Sequence, residues 1–204
     1  MKNINIPESY IDKVVGPACK WDKEIIDAFL TIPRHKFVHE AMLKMVYHDD
    51  ALPIGYGQTI SKPSTVAYMT KMLQLEPEHT VLEIGTGSGF QAAILSKLCK
   101  TVYSVERVPE LHRSTYQIIK RIPLRNVKMK LQPSILGWPE FAPFYRIIAT
   151  AEGKTVPQTL IDQLADGGLM LIPAKGRLMR VVKNGSEVAI TPLADCSFVD
   201  FVGA

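Results

Sequence analysis

Glu83, Gly85, Gly87, Gly89 and Glu106 have the types and spacing of a nucleotide-binding turn followed by an acidic strand end. Glycines allow the chain to turn tightly and a ligand to approach the backbone, and the helix that follows offers free N–H groups. Glu106 falls about 21 positions after Gly85, where a carboxylate can accept hydrogen bonds from both hydroxyls of a ribose. A dinucleotide fingerprint reads GxGxxG, whereas this stretch reads GxGxG with a glutamate two residues ahead. That form, with its acidic partner, favours S-adenosyl-L-methionine (SAM) over a dinucleotide. The cofactor residues expected from it are Glu83, Ile84, Gly85, Thr86, Gly87, Ser88, Gly89, Glu106 and Arg107. A sulfonium methyl group leaves by in-line displacement, and attack by an anion neutralises both charges. A site that excludes water and aligns the nucleophile therefore accelerates transfer without a strong base.

A second stretch, "LPIGYGQTISKP", places Gln58, Thr59 and Ser61 after two glycines. These are neutral donors that can orient a carboxylate without protonating it. On residue types alone the same stretch also reads as a plain turn, with Ser61 capping the next helix. Other constellations carry less. His35 and His39 lie four apart, with His48, Asp49 and Asp50 downstream, but no third convergent ligand is evident, so packing or solvent roles are expected. There is no GxSxG elbow for Ser–His–Asp chemistry. Cys19, Cys99 and Cys196 are odd in number and form no CxxC pair, which reads as inert thiols and no metal. Trp21 and Trp138 are expected in or over the core.

The elements that must position these residues follow from periodicity. Up to about residue 75 the pattern is helical, in "PESYIDKVV", "WDKEIIDAFLTI" (stopped by Pro33), "HKFVHEAMLKMVY" and "STVAYMTKMLQL", the last capped by Ser61 or Ser64. "DDALPIGYGQTISKPS", dense in Gly and Pro, reads as a loop. From Thr80 strands alternate with helices: "TVLEIG", "FQAAILSKLC", "TVYSVE", "PELHRSTYQIIKRI", "NVKMKL", "FYRIIAT" and "PQTLIDQLAD", the last ended by Gly167 and Gly168. "GLMLIPA", "RLMRVVKNG" and "SEVAITPL" are late strands with a hairpin at Asn184-Gly185. This alternation predicts an α/β protein: a mostly parallel twisted sheet with helices on both faces. Residues 1–75 are expected to form a helical N-terminal cap with a substrate loop, within the same domain as a core over 76–204.

The chain has 204 residues, enough for one well-buried domain, with 47% hydrophobic and 22% charged residues. No apolar run reaches the roughly 20 residues of a membrane span, and no secretory signal is evident, so a cytoplasmic location is expected. The net charge is +4, and nine Lys or Arg face two Glu between positions 97 and 130. That stretch lacks interleaved aromatics and any nucleic-acid motif, so a solvated face is expected and no nucleic-acid partner.

At "YHDDALPIGYGQTISKPSTVAYMTKMLQLEPEHTVLEIGTGSGFQAA" the chain resembles the protein-L-isoaspartate (D-aspartate) O-methyltransferases. The likeness extends through "IPRHKFVHEAM", "VYSVERVPEL", "LGWPEFAPFYRIIAT", "VPQTLIDQLADGGLMLIPA" and the terminal "SFVDFVGA". It implies a modified Rossmann sandwich whose final strands differ in order from most SAM-dependent methyltransferases. It also implies SAM-dependent methylation of the α-carboxylate of L-isoaspartyl residues in damaged proteins or peptides, leaving S-adenosyl-L-homocysteine. The enzyme would be a monomer. Carried onto matching positions, the family pattern makes Ser61 and Thr59 the catalytic pair. Ile54, Gln58, Ile60, Thr150 and Ala151 would contact the substrate, and Gln132 and Ser134 would join the cofactor set.

The second half departs from that pattern. Gln132-Pro133-Ser134 replace a Gly-Asp-Gly whose aspartate reaches the adenine amino group, although Gln132 can still accept through its amide oxygen. Tyr145 and Arg146 replace the usual residues before "IIAT". Glu152 puts a negative charge beside the expected substrate path unless Lys154 pairs with it. "LIPAKGRL" is shortened, and Asp200 stands where the family has proline. Besides a repair methyltransferase, these changes leave open a divergent member with another acceptor and a non-catalytic SAM-binding module.

Overall fold

The structure, a computed structural model, describes residues 4–201; the last three residues of "SFVDFVGA" lie outside the described residues. The N-terminal part begins with a helical segment made of α1 (Glu8–Tyr10), a π turn (Ile11–Val15) and α2 (Gly16–Ala18). Helix α3 (Lys23–Thr31) starts at Asp22, whose carboxylate accepts from the N–H groups of Glu24 and Ile25. Asp22 also pairs with Lys71 at 2.7 Å, tying the start of α3 to α4 (Pro63–Met72).

Three expectations for this part are corrected. "HKFVHEAMLKMVY" is not a helix but two 3-10 turns, Arg34–Phe37 and Glu40–Met42, separated by extended backbone at Val38 and His39. The reason lies in Arg34, which is fully buried and donates to the carbonyls of Val46 and Asp50, so the chain wraps around a guanidinium. "DDALPIGYGQTISKPS" is not an open loop: β1 (Leu52–Gly55) and β2 (Gln58–Ile60) form an antiparallel hairpin. Alternation of the buried Leu52, Ile54 and Ile60 with exposed neighbours holds the pair against the core. Finally, neither Ser61 nor Ser64 caps α4. Lys62 occupies the N-cap, and the Asp49 carboxylate takes both the N–H and the hydroxyl of Ser64, at 2.9 and 2.7 Å.

The rest alternates as expected: β3 (Thr80–Ile84), α5 (Phe90–Leu95), β4 (Thr101–Glu106), α6 (Pro109–Arg121), β5 (Val127–Leu131), β6 (Phe144–Ala149), α7 (Gln158–Asp162), β7 (Leu164–Ala174), β8 (Arg177–Asn184) and β9 (Glu187–Asp195). Helix α7 is shorter than its sequence pattern, because β7 already begins at Leu164 and carries Gly167 and Gly168 inside it. The sheet order is β5-β4-β3-β6-β7-β8-β9, parallel from β5 to β7 and antiparallel in the closing hairpins. Strands β7, β8 and β9 thus lie in chain order. The connection from β5 returns across the sheet to β6 on the far side of β3, so the crevice where the winding reverses opens at the C-terminal ends of β3 and β6.

Apolar side chains cover both faces. Leu82, Phe144, Ile147, Leu160 and Met170 share one cluster, while Met69, Leu73, Val81, Leu95 and Leu169 share another. In the N-terminal part, Tyr10, Phe29 and Phe37 share a buried cluster with Phe90, Leu111 and Ile119. Phe29 and Phe37 meet the Phe90 ring edge-on at 5.7 and 5.4 Å, contacts worth about 0.5–1.5 kcal/mol each beyond burial. Trp138 is buried against Tyr103, but Trp21 is mostly exposed, its ring lying over Gly16. In the basic stretch, Lys128 sits over the Tyr103 ring and Lys130 pairs with Glu140.

Candidate active site

The glycine turn joins β3 to α5, and two of its glycines have no substitute. Gly85 has φ +92°, and a Cβ there would come within 2.7 Å of the Thr150 hydroxyl. Gly89 has φ +85°, and a Cβ there would strike Thr115 of α6 at the same distance. Side chains in left-handed backbone are strained in any case, so both positions require glycine. The turn is clamped from both sides. Thr115 donates to the Gly87 carbonyl at 2.6 Å, and the Gly87 N–H donates to Glu106 at 2.7 Å. Thr150, just past β6, donates to the Gly85 carbonyl at 2.6 Å and so locks the turn to the neighbouring strand.

Glu106 ends β4 and is nearly buried. Its other oxygen accepts from the N–H groups of Arg107 and Val108, at 2.8 and 2.9 Å. Three backbone donors therefore fix the carboxylate, and a carboxylate has about four lone-pair positions, which leaves acceptor capacity facing the crevice.

Two cavities meet beside this turn, at Thr59, Thr150 and Val199. The first is a slot lined by Ile84, Gly85, Gly87, Val105, Glu106, Arg107, Gln132 and the 135–137 segment, reaching Gln58, Thr59, Thr150, Ala151 and Val199–Phe201. The second, of about 690 Å³, lies between the start of α4 and the segment after β9, and includes Ser61, Lys62, Tyr68, Asp195 and Phe198. Thr59, Thr150 and Val199 line both. A narrow channel lined by Thr59, Ile60, Ser61, Thr86, Gly87, Ser88 and Thr150 runs beside them. Ile54 lies behind the turn, where it lines a groove with Gly87 and Ser88.

Most of the expected site residues therefore converge, but three do not line these cavities. Glu83 is wholly buried beneath the turn, with one oxygen against the Ser104 hydroxyl, which in turn lies 2.6 Å from that of Thr86. Burial pushes the Glu83 carboxyl up from 4.5 to about 8, so it is a neutral scaffold acid beneath the turn and not a cofactor contact. Gly89 faces Thr115, and Ser134 lies outside the pocket linings. Glu152 pairs not with Lys154 but with the Gly176 N–H in the β7–β8 turn. Its backbone bonds Val199 and Phe201, which stitches the C-terminal segment into the wall between the two cavities. His35 pairs with Tyr47 at 2.8 Å, and no group of three metal-ligating side chains occurs among the described residues.

Sequence reading missed Thr115, Asp49 and the wall formed by Asp195–Phe201. Nothing in a hydroxyl on α6 marks it as a clamp, and a C-terminal wall is set by long-range pairing that has no local pattern.

The slot suits an adenosyl group by its own chemistry. Glu106 offers a fixed acceptor at its centre, and Gln132 carries a buried side-chain nitrogen without a hydrogen-bond partner. Both residues line the slot.

Comparison with known proteins agrees. Residues 9–204 match the family described as protein-L-isoaspartate(D-aspartate) O-methyltransferase. A protein-L-isoaspartate O-methyltransferase of Desulfotalea psychrophila is 47% identical over 186 residues, covering 89% of this chain and 87% of its own. One from Dictyoglomus thermophilum is 45% identical over 185 residues, covering 89% and 84%. A Plasmodium falciparum protein described as a putative protein-L-isoaspartate O-methyltransferase, solved in complex with S-adenosyl-L-homocysteine, superposes with a TM-score of 0.82 at 23% identity, covering 98% of each chain, and attests the fold.

Proposed function

The chain belongs to the protein-L-isoaspartate(D-aspartate) O-methyltransferase family, and on that premise we propose that it repairs peptides and proteins by methylating the α-carboxylate of L-isoaspartyl residues. The cofactor is SAM, which when bound supplies an electrophilic methyl group and leaves as S-adenosyl-L-homocysteine. The observation that carries the reading is the meeting of two cavities at Thr59, Thr150 and Val199. One cavity has the acceptors an adenosyl group needs, the other has hydroxyls suited to a carboxylate, and they touch where transfer must occur.

In this reading Glu106 holds the ribose, and the Gly85–Gly87 turn cradles the cofactor beside Thr150. Ser61 and Thr59 hold the acceptor carboxylate by hydroxyl donors, with Gln58, Ile60 and Ala151 shaping its approach. Hydroxyl donors leave the carboxylate ionised and nucleophilic, and its oxygen forms the new bond to carbon as the carbon–sulfur bond breaks. Positioning rather than base catalysis then supplies the acceleration. The ester product closes without the enzyme to a succinimide, the following backbone nitrogen displacing methanol from the ester carbonyl. The Glu152 carboxylate accepts from the Gly176 N–H and is absent from both cavity linings. The reading takes the enzyme as a cytoplasmic monomer; among the described residues no helix is long and apolar enough to cross a membrane.

The test is to incubate an isoaspartyl peptide with enzyme and SAM and to follow it by chromatography. Conversion to succinimide and then partly to the aspartyl peptide is expected. An isoaspartyl peptide that persists unchanged while S-adenosyl-L-homocysteine binds would overturn the acceptor assignment.

A further inference from the structure

The cofactor slot is lined by three charged residues, Glu106, Arg107 and Asp200. Glu106 and Arg107 sit together at the end of β4, on one side of β3. There Glu106 accepts from three backbone N–H groups, and Arg107 donates to the Pro133 carbonyl at 3.2 Å. Asp200 belongs to the other side of β3, at the end of β6. The Glu152 N–H donates to the Val199 carbonyl at 2.7 Å, and the Phe201 N–H donates to the Glu152 carbonyl at 2.9 Å. This parallel bridge holds Asp200 beside Glu152, two residues past Thr150. Val199 and Phe201 pack on the buried cluster that contains Trp138 and Ile147, so alternation along extended backbone leaves the Asp200 side chain on the accessible side. Among the described residues no Lys, Arg or His forms an ion pair with it.

Val199 lines both cavities. Consecutive Cα atoms are about 3.8 Å apart, so Asp200 stands next to the junction at which the methyl group changes hands. The cofactor sulfur at that point is a cation before transfer and a neutral thioether after it. All its other charged groups are the same in both forms. A carboxylate at the junction therefore attracts the loaded cofactor and is indifferent to the spent one.

We propose that Asp200 discriminates the sulfonium form of the cofactor from the thioether product by charge, and so favours exchange of spent cofactor for fresh. The proposal rests on the SAM reading above and adds a specificity that the reading does not require. Asp200 is thereby a specificity-determining residue. The positive charge disappears as the methyl group leaves, so this attraction contributes to loading and not to the transfer step.

Calorimetric titration of SAM and of S-adenosyl-L-homocysteine into the native protein, Asp200→Asn and Asp200→Glu tests it, without any acceptor peptide. Asp200→Asn should weaken SAM by roughly 3- to 10-fold, the worth of one opposite charge in a partly water-filled slot. S-Adenosyl-L-homocysteine should keep its affinity within about 2-fold, which also shows that the slot is intact. Asp200→Glu should retain the native ratio of the two affinities. In the native protein that ratio should fall in favour of the thioether as salt rises from about 0.05 to about 0.5 M, because screening weakens only the charged ligand's attraction. Equal loss of both ligands in Asp200→Asn would reduce the residue to a part of the wall and overturn the proposal, as would undiminished SAM affinity. A native ratio indifferent to salt would overturn it even if the variants fail to fold. These outcomes leave the SAM reading intact, whereas failure of the native protein to bind either ligand would overturn both.

Discussion

Replacing Glu83 by glutamine should remove a pH dependence from folding. Glu83 is completely buried in β3, with one oxygen at the Ser104 hydroxyl and the other without a partner. Burial raises its folded-state value from 4.5 to about 8; the Ser104 contact opposes the shift and the neighbouring Glu106 adds to it. The unfolded chain therefore releases this proton near pH 4.5 and the folded chain only near pH 8. The stability tied to it is fully present below pH 4.5 and is lost as pH rises to about 8, at about 1.4 kcal/mol per pH unit. Across the whole window that is about 5 kcal/mol, an order-of-magnitude figure. Glutamine has the same shape and no proton to lose. The unfolding free energy of Glu83→Gln minus that of the native protein should therefore climb with pH, by roughly 3 kcal/mol between pH 5.5 and 7.5. Urea unfolding at fixed ionic strength measures it, and other titrating groups cancel in the difference. A difference that stays flat over that range would refute the neutral buried acid.

Three further substitutions probe the site. Glu106→Ala should weaken S-adenosyl-L-homocysteine binding by about 10- to 100-fold in calorimetry, because a charge-assisted acceptor is worth about 1.5–3 kcal/mol. It should also lower the melting midpoint, since the N–H groups of Gly87, Arg107 and Val108 lose their acceptor. Ser61→Ala should cut kcat for an isoaspartyl peptide by at least about 10-fold while cofactor affinity stays unchanged; equal loss of cofactor binding would contradict its place in the acceptor cavity. Asp49→Ala removes the acceptor at the start of α4 and should cost about 1 kcal/mol of stability in urea unfolding. Because α4 forms one wall of the acceptor cavity, its peptide KM should rise as well, and an unaltered KM would detach the cap from the site.

The parallel core was legible because alternation of short apolar runs with helical stripes is a local property. The glycine turn and Glu106 were legible for the same reason: the strand, the turn and the next strand end lie within one βαβ unit. Legibility failed where a distant group decided the conformation. The stripe over 36–46 has helical spacing, but Arg34 takes the carbonyls of Val46 and Asp50 and winds the chain around itself instead. Ser61 and Ser64 both stand where a cap is expected, yet the cap comes from Asp49, 15 residues before Ser64. Glu83 shows the same limit at the site. Its place in the glycine motif suggests a ligand contact, but strand alternation turns its side chain beneath the turn, toward Ser104. Glu152 read as a threat to substrate entry because the partner that occupies it, the Gly176 N–H, belongs to a hairpin that sequence spacing does not place.

The central claim is methyl transfer to an isoaspartyl carboxylate, and labelled methyl transfer measures it most directly. Enzyme and methyl-labelled SAM are offered an isoaspartyl peptide and, separately, its aspartyl twin of identical sequence. Base-labile label on the isoaspartyl peptide, with little on the twin, is the predicted result. Equal labelling of both peptides, or none on either while the cofactor binds, would contradict it.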